Sequence, residues 1–294
     1  MRPLLCLLLL FLAGCQAVLA PLPAWQSPEG RDHAEVGQII ELRTGQRLTP
    51  EQLVQRLASS PRVLLGERHD NPDHHALQLW LLRSLASQRE QGSLLLEMLT
   101  PGQQAAVDDA QARLAKGEAI ADLPTALAWQ KGWDWSWYGA IVRHALAQPY
   151  PLLAANLDRS EIMSIYQNPP ALTGALSTAE TVRAPLLEQI RESHCGLLPE
   201  SQMAPMLAVQ QQRDRRMAEA LLAAPEPAVL LAGAFHTRRD LGVPLHLRDL
   251  GDATGGQVLI FAEVGDDSLG AEQADFVWYT PSTPEQDHCA KLRR

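Results

Sequence analysis

The chain has no surplus of positive charge. Lysine and arginine number 25 against 34 aspartates and glutamates. A basic face supplies most of the affinity for nucleic acid, so its absence excludes nucleic acid as a partner. A glycine-rich phosphate loop is also missing. There is no Walker sequence, no Gly-x-Gly-x-x-Gly after a strand and no Gly-x-Ser-x-Gly elbow, which disfavours nucleotide binding and serine hydrolysis. Neither Cys-x-x-Cys nor His-Glu-x-x-His occurs, so no short-range metal motif is present. Repeats of solenoid length and low-complexity tracts are absent too, and the single long apolar run is too short to span a bilayer.

What remains suits a globular chain: 294 residues, 46% hydrophobic and 20% charged. The N-terminus, "MRPLLCLLLLFLAGC", has one arginine, an apolar run and small residues before Cys15. That layout is a secretory signal over residues 1–14. Leu12-Ala13-Gly14-Cys15 resembles the bacterial lipobox. The resemblance implies cleavage before Cys15, lipidation of Cys15 with acyl chains such as palmitate, and stable anchoring. Gln16, rather than Asp, after the cysteine points to the outer membrane. An ordinary signal with a chance cysteine is the plainer alternative. Cys6 leaves with the signal, so Cys195 and Cys289 remain in an oxidising compartment, where they are expected to pair. Two buried free thiols are the other outcome.

Residues 15–36 hold Pro21, Pro23 and Pro28 with few apolar side chains and read as a tether. From residue 37 to 294 the pattern is one α/β domain. A hairpin turns at Thr44-Gly45, and a helix follows with Thr49 as N-cap, Pro50 at its first position and Gln52 in the capping-box place. Short apolar strands are expected at 62–67, 93–98, 150–157, 228–233, 256–264 and 275–280. Such runs separated by helices imply a mostly parallel β-sheet flanked by helices. Two long helical stretches, about 101–148 and 158–224, exceed a single crossover and are expected to form a helical cap subdomain inserted between strands.

In an open parallel sheet, ligands bind beyond the carboxyl ends of the strands. Four strand ends carry polar groups there. "LLGERHDNPDHH" supplies Glu67 and His69, with His75 one helical turn on. "LLLEM" supplies Glu97, "LLAANL" supplies Asn156, and "LLAGAFH" supplies His236. The glycine of each Gly-x-x-His end is expected to let the chain turn sharply. A carboxylate at a strand end can also cap a helix or pair with a nearby arginine, so a structural role stands beside the functional one for each residue. His74 falls on the apolar face of its helix and reads as a core histidine. Two histidines and two carboxylates permit a divalent metal without indicating one. "WQKGWDWSWY", with four tryptophans and Tyr138, is either a buried aromatic core or a platform for a flat ligand.

Together "LLGERHDNPDHH", "LLLEM", "WDWSWY", "LLAANLDR", "QQRDRRMA" and "LLAGAFHTRRDLGVP" resemble the ChaN-like haem-binding lipoproteins of iron uptake, from about residue 37 to 280. The resemblance implies an α/β fold and a lipid-anchored outer-membrane protein. It also implies binding of ferric haem through a tyrosine, at a homodimer interface, in exchange with outer-membrane haem uptake machinery. No Cys-x-x-Cys-His is present, so haem is not attached covalently. Tyr138 is the first candidate for the iron ligand; Tyr166 and Tyr279 follow. His194, Arg159 and Arg183 are candidates for the propionates, and no metal other than haem iron is expected. The related clan includes EreA-like esterases and TIKI-type metalloproteases, so the alternative is a metal-assisted hydrolase at the Gly-x-x-His strand ends. Haem binding leaves that Glu/His constellation unexplained.

Overall fold

The computed structural model describes residues 19–291. The expected signal segment and Cys15 lie outside the described residues. The strands are β1 (Ile39–Glu41), β2 (Gln46–Leu48), β3 (Arg62–Glu67), β4 (Ser93–Leu96), β5 (Leu152–Ala154), β6 (Ala228–Gly233), β7 (Gln257–Glu263) and β8 (Phe276–Thr280). The helices are α1 (Pro50–Ala58), α2 (Pro72–Ala86), α3 (Gln104–Ala115), α4 (Leu123–Ala126), α5 (Trp135–Leu146), α6 (Arg159–Gln167), α7 (Glu180–Ser193), α8 (Glu200–Ala223), α9 (Ala234–Thr237) and α10 (Val243–Asp249). They build one mixed sheet in the order β2-β1-β8-β7-β3-β6-β4-β5. β1 runs antiparallel to β2 and β8, and the remaining pairings are parallel.

The central strands read as continuous apolar runs because both their faces are covered. Val63, Leu65, Val229 and Leu231 enter one core with α1, α2, α3 and α5. Their neighbours Leu64, Leu230 and Ala232 enter the opposite core with the C-terminal half of α8 and with α10. α1 starts where Thr49 and Gln52 close a reciprocal capping box. α2 starts where Asn71 accepts from the backbone of Asp73 and His74; each cap satisfies donors that a helix start leaves orphaned.

Two expectations change. The stretch 101–148 is no cap: Ile141, Val142 and Ala145 of α5 belong to the main core beneath the sheet. Only the second stretch forms a subdomain, where Val182, Leu186 and Ile190 of α7 meet Met203 and Leu207 of α8 in a separate cluster. Residues 19–36 are not a free tether either. Trp80 donates to the Ala20 carbonyl (2.8 Å), and the backbone N–H groups of Gln26 and Ser27 donate to Asp73 (2.7 and 3.0 Å). Glu29 also forms a β-bridge with Ser282. The strap satisfies the buried Asp73 carboxylate, which explains an acid inside the first turn of α2. Cys195 and Cys289 are joined by a disulfide that ties the end of α7 to the C-terminal segment. Among the described residues no helix is long and apolar enough to cross a membrane.

Candidate functional site

Parallel register sets the carboxyl ends of β3, β6 and β4 side by side. Glu67 is level with Gly233, and Leu96, one residue before Glu97, is level with Leu231. The buried Glu67 carboxylate accepts from the Tyr138 hydroxyl (2.7 Å) and from His69 Nδ1 (3.0 Å), while His75 Nδ1 lies 2.9 Å from its second oxygen. Burial works against its charge, but the imidazoles of His75 and His69 hold the carboxyl far below the usual range. His75 Nε2 donates to the His69 carbonyl at 2.9 Å. Burial opposes a charge on His75 as well, yet Glu67 raises its pKa, and the imidazolium form satisfies both ring nitrogens.

Glu97 is fixed by the backbone N–H of Gly233 (2.8 Å) and faces His236 Nε2 at 3.4 Å. Despite burial, His236 brings the Glu97 carboxyl down to about 2. The other nitrogen of His236 donates to Asp214, and burial is again outweighed: Glu97 and Asp214 hold the His236 ring up to about 10. His69 is also raised, mainly by its hydrogen bond to Glu67 against the pull of burial. Its side chain is 41% exposed, so it is the member of the cluster that most reaches open space.

The two glycines serve space rather than turning. Neither has a positive φ. A Cβ on Gly233 would stand 2.9 Å from the His69 ring, and one on Gly66 would overlap the Thr237 hydroxyl. Glu67, His69, Gly233 and His236 line a cavity of 610 Å³ walled by Phe235 and Phe261. Asn156 does not enter it. Its amide donates to the Glu97 carbonyl (2.9 Å) and its oxygen accepts from Leu157 N–H (2.8 Å), a backbone brace. His74 is neutral and structural, pushed down to about 3 by burial, with Nδ1 accepting from Arg68 N–H.

A second cavity, of 400 Å³, lies in the helical subdomain between α6, α7 and α8. Tyr166, His194 and Arg213 line it, with Met163, Met206 and Val209 as apolar wall. Gln189 and Gln210 stand in the walls of both cavities.

These placements revise the tyrosine order. Tyr138 is 1% exposed and its hydroxyl is committed to Glu67. Burial and the Glu67 charge push its pKa far above the ordinary value, so a phenolate there is strongly opposed. Tyr279 is buried within β8 against Ala262 and Val277 and lines neither cavity. Of the three, Tyr166 borders the second of these two cavities. Arg159 and Arg183 are exposed and line neither cavity, and Arg183 pairs with Glu180 at 3.7 Å. The residues that sequence reasoning missed, Gln210, Arg213 and Asp214, all sit on α8. Asp214 had one signal: with Leu207, Met217 and Leu221 it falls on the buried stripe of that helix. Among the described residues no group of three or more His, Cys, Asp or Glu side chains is arranged to hold a metal ion. Each strand-end imidazole instead faces a carboxylate: His69 and His75 face Glu67, and His236 faces Glu97 and Asp214.

Among curated proteins none matches this chain. In contrast, a solved structure of ChaN of Campylobacter jejuni, in which haem is bound cofacially, is 31% identical, covers 82% of this chain and 95% of its own, and superposes with a TM-score of 0.74. Lower similarities reach the toxin effector domain RRSP of Vibrio vulnificus (16% identity, 82% and 39% coverage, TM-score 0.46) and a mutant of the erythromycin esterase EreC (11%, 88% and 86%, 0.45). Residues 53–247 match the family model described as haem-binding uptake, Tiki superfamily, ChaN. On that match and the Campylobacter structure, the chain belongs to the ChaN family of haem-binding uptake proteins.

Proposed function

We propose that the chain is a lipid-anchored, outer-membrane haem-binding protein of iron uptake, which takes ferric haem in the groove between α6, α7 and α8 through Tyr166. The observation that carries this reading is the meeting of Tyr166, His194 and Arg213 on one apolar groove. The residues present fit haem. Ile162, Met163 and Met206 supply apolar wall. Arg213 has no acidic partner among the described residues, and its Nε is buried without a hydrogen bond, so it suits a propionate. His194 donates Nδ1–H to the Ile190 carbonyl (2.8 Å), which leaves Nε2 for the ligand. When bound, ferric haem would offer an iron that a tyrosinate oxygen holds well. Met163 and Leu197 are 45% and 54% exposed. Apolar surface beside an open groove supports closure by a second copy of the chain, and the cofacial haem of the Campylobacter relative supports the same arrangement.

The test is a hemin titration of the purified protein. A high-spin ferric spectrum with a tyrosinate charge-transfer band is expected, with the mass doubling by light scattering as hemin is added. Tyr166→Phe should abolish the band. Loss of the band in Tyr138→Phe with retention in Tyr166→Phe would return the ligand to Tyr138. Absence of saturable hemin binding would overturn the function.

A further inference from the structure

We propose that the strap and the outer stripe of α2 form a membrane-docking face, which lays this side of the domain on a phospholipid bilayer and holds the haem groove clear of it. The inference rests on the reading of Cys15 as lipidated. Trp80 fixes the Ala20 carbonyl to α2. Five residue steps separate that point from Cys15. Fully extended, such a length reaches about 17 Å. An acylated Cys15 therefore keeps the surface around Ala20 within that distance of the lipid, whatever path the intervening chain takes.

The face that arrives there suits a bilayer. Residues 16–28 contain no charged side chain. In the described part of that stretch Ala20, Pro21, Leu22 and Ala24 are exposed, Leu22 at 42%. The strap runs along α2 from Trp80 to Asp73, two residues seven apart and so on one flank of the helix. The neighbouring flank is Pro72, Ala76, Leu79 and Arg83. Between Pro72 and Arg83 these are the positions of α2 left open to solvent, and three of the four are apolar. Arg83 ends the stripe as an exposed cation with no acidic partner among the described residues, which an anionic headgroup would supply. Beyond the stripe, the half-buried Trp137 stacks near the His75 ring at 6.1 Å. An indole at such a margin favours the membrane–water interface.

The short reach to the lipid favours a bilayer over a protein partner. Small apolar side chains such as these would bind a free partner weakly. Tied to the membrane by a short linker, the same surface works at an effective concentration in the millimolar range, where weak contacts are enough. The sheet stands between this face and the haem groove. Helices α1, α2, α3 and α5 share one core with the sheet, whereas α8, which lines the groove through Val209 and Arg213, meets its other face. The groove therefore stays open to water, where haem is exchanged.

The test uses the full lipidated chain in vesicles of phosphatidylethanolamine with a minor share of phosphatidylglycerol. A fluorophore sensitive to lipid contact is attached at Ala24→Cys on the strap or at Arg183→Cys on α7; Cys195 and Cys289 are occupied by their disulfide. Lipids carrying a headgroup nitroxide should quench the strap label several-fold and leave the α7 label unchanged. Leu22→Asp combined with Arg83→Glu, both at exposed positions, should restore the emission of the strap label while the protein still floats with the vesicles. Near-UV circular dichroism checks that each variant is folded, and a hemin titration reads the groove independently. Equal quenching of the two labels, or quenching of neither in protein that floats, would overturn the orientation and leave the anchor standing. Protein that fails to float would overturn the anchor and the orientation together.

Discussion

At Gly233 a methyl group would project to 2.9 Å from the His69 ring, closer than a real Cβ contact allows. Gly233→Ala should therefore push the ring off its hydrogen bond to Glu67. The expected cost is about 1–3 kcal/mol, as for other overpacking changes, measured by urea unfolding. The Cε1 proton resonance of His69 should move with it. A variant with unchanged stability and resonance would show that the ring has free space to retreat. The same residue shows how far sequence carries at this scale. Glycine before histidine marked the strand end, and Glu67, His69, Glu97 and His236 were all placed on the correct edge. The reason for the glycine was different: crowding between strands, which pairs residues 67 and 233 across 166 positions of chain and leaves no local trace. Tyr138 misled for a related reason. Aromatic density announces buried area, whether the area is covered by a ligand or by the protein's own sheet. Here Tyr138 enters the main core, where the Glu67 carboxylate takes its hydroxyl, and the four tryptophans pack half-buried against that core.

Among the elements, strands were legible because β3 from Val63 to Gly66 and β6 along its whole length are continuously apolar, which only a doubly covered strand requires. The division of the helices was not. Periodicity reveals that a helix has a buried face, not which partner covers it. α5 covers the sheet, whereas α8 changes partner along its length, from α7 at Met203 and Leu207 to the sheet at Met217 and Leu221. The disulfide bears on that subdomain. It spans 94 residues of sequence and fastens the exit of α7, next to His194, to the C-terminal segment. Closing a loop of this length in the unfolded chain is worth roughly 4–5 kcal/mol on loop-closure entropy alone. Replacing both cysteines (Cys195→Ala with Cys289→Ala) should lower the melting midpoint and raise hydrogen exchange in α6 and α7 while the strands stay protected. Hemin binding should weaken, since His194 loses its fixed position. Equal exchange of α7 in both proteins would show that the α7–α8 apolar cluster holds the subdomain without the bridge.

Over the whole molecule, the buried titratable groups divide into two sets with opposite pH behaviour. His74 is held neutral, down to about 3 from an ordinary 6.5, chiefly by burial, and His246 is lowered for the same reason. Such groups take up protons on unfolding, so they cost stability as pH falls below 6.5. His236 has the reverse sign. Its pairing with Glu97 and Asp214, which outweighs burial, raises it to about 10, and its contribution is complete below pH 6.5 and lost as pH rises toward 10. His69 and His75 are raised as well and add to that alkaline loss. Glu97 is lowered to about 2, so its contribution begins to fail only below its ordinary 4.5. Stability should accordingly peak near neutrality. Between pH 6.5 and 4.5 the decline belongs to the buried neutral histidines, at about 1.4 kcal/mol per pH unit for each fully buried ring. His74→Asn keeps an acceptor for the Arg68 N–H without a titrating ring. Its denaturation curves at pH 6.5, 5.5 and 4.5 should show a shallower acid limb than the parent, by about that slope, with His246 and the partly buried His144, both lowered by burial, contributing to the rest. Above pH 7 the two proteins should lose stability in parallel, because His236, His69 and His75 are untouched. Parallel acid limbs would mean that His74 is charged in the folded state, and the burial argument for this face of the sheet would fail.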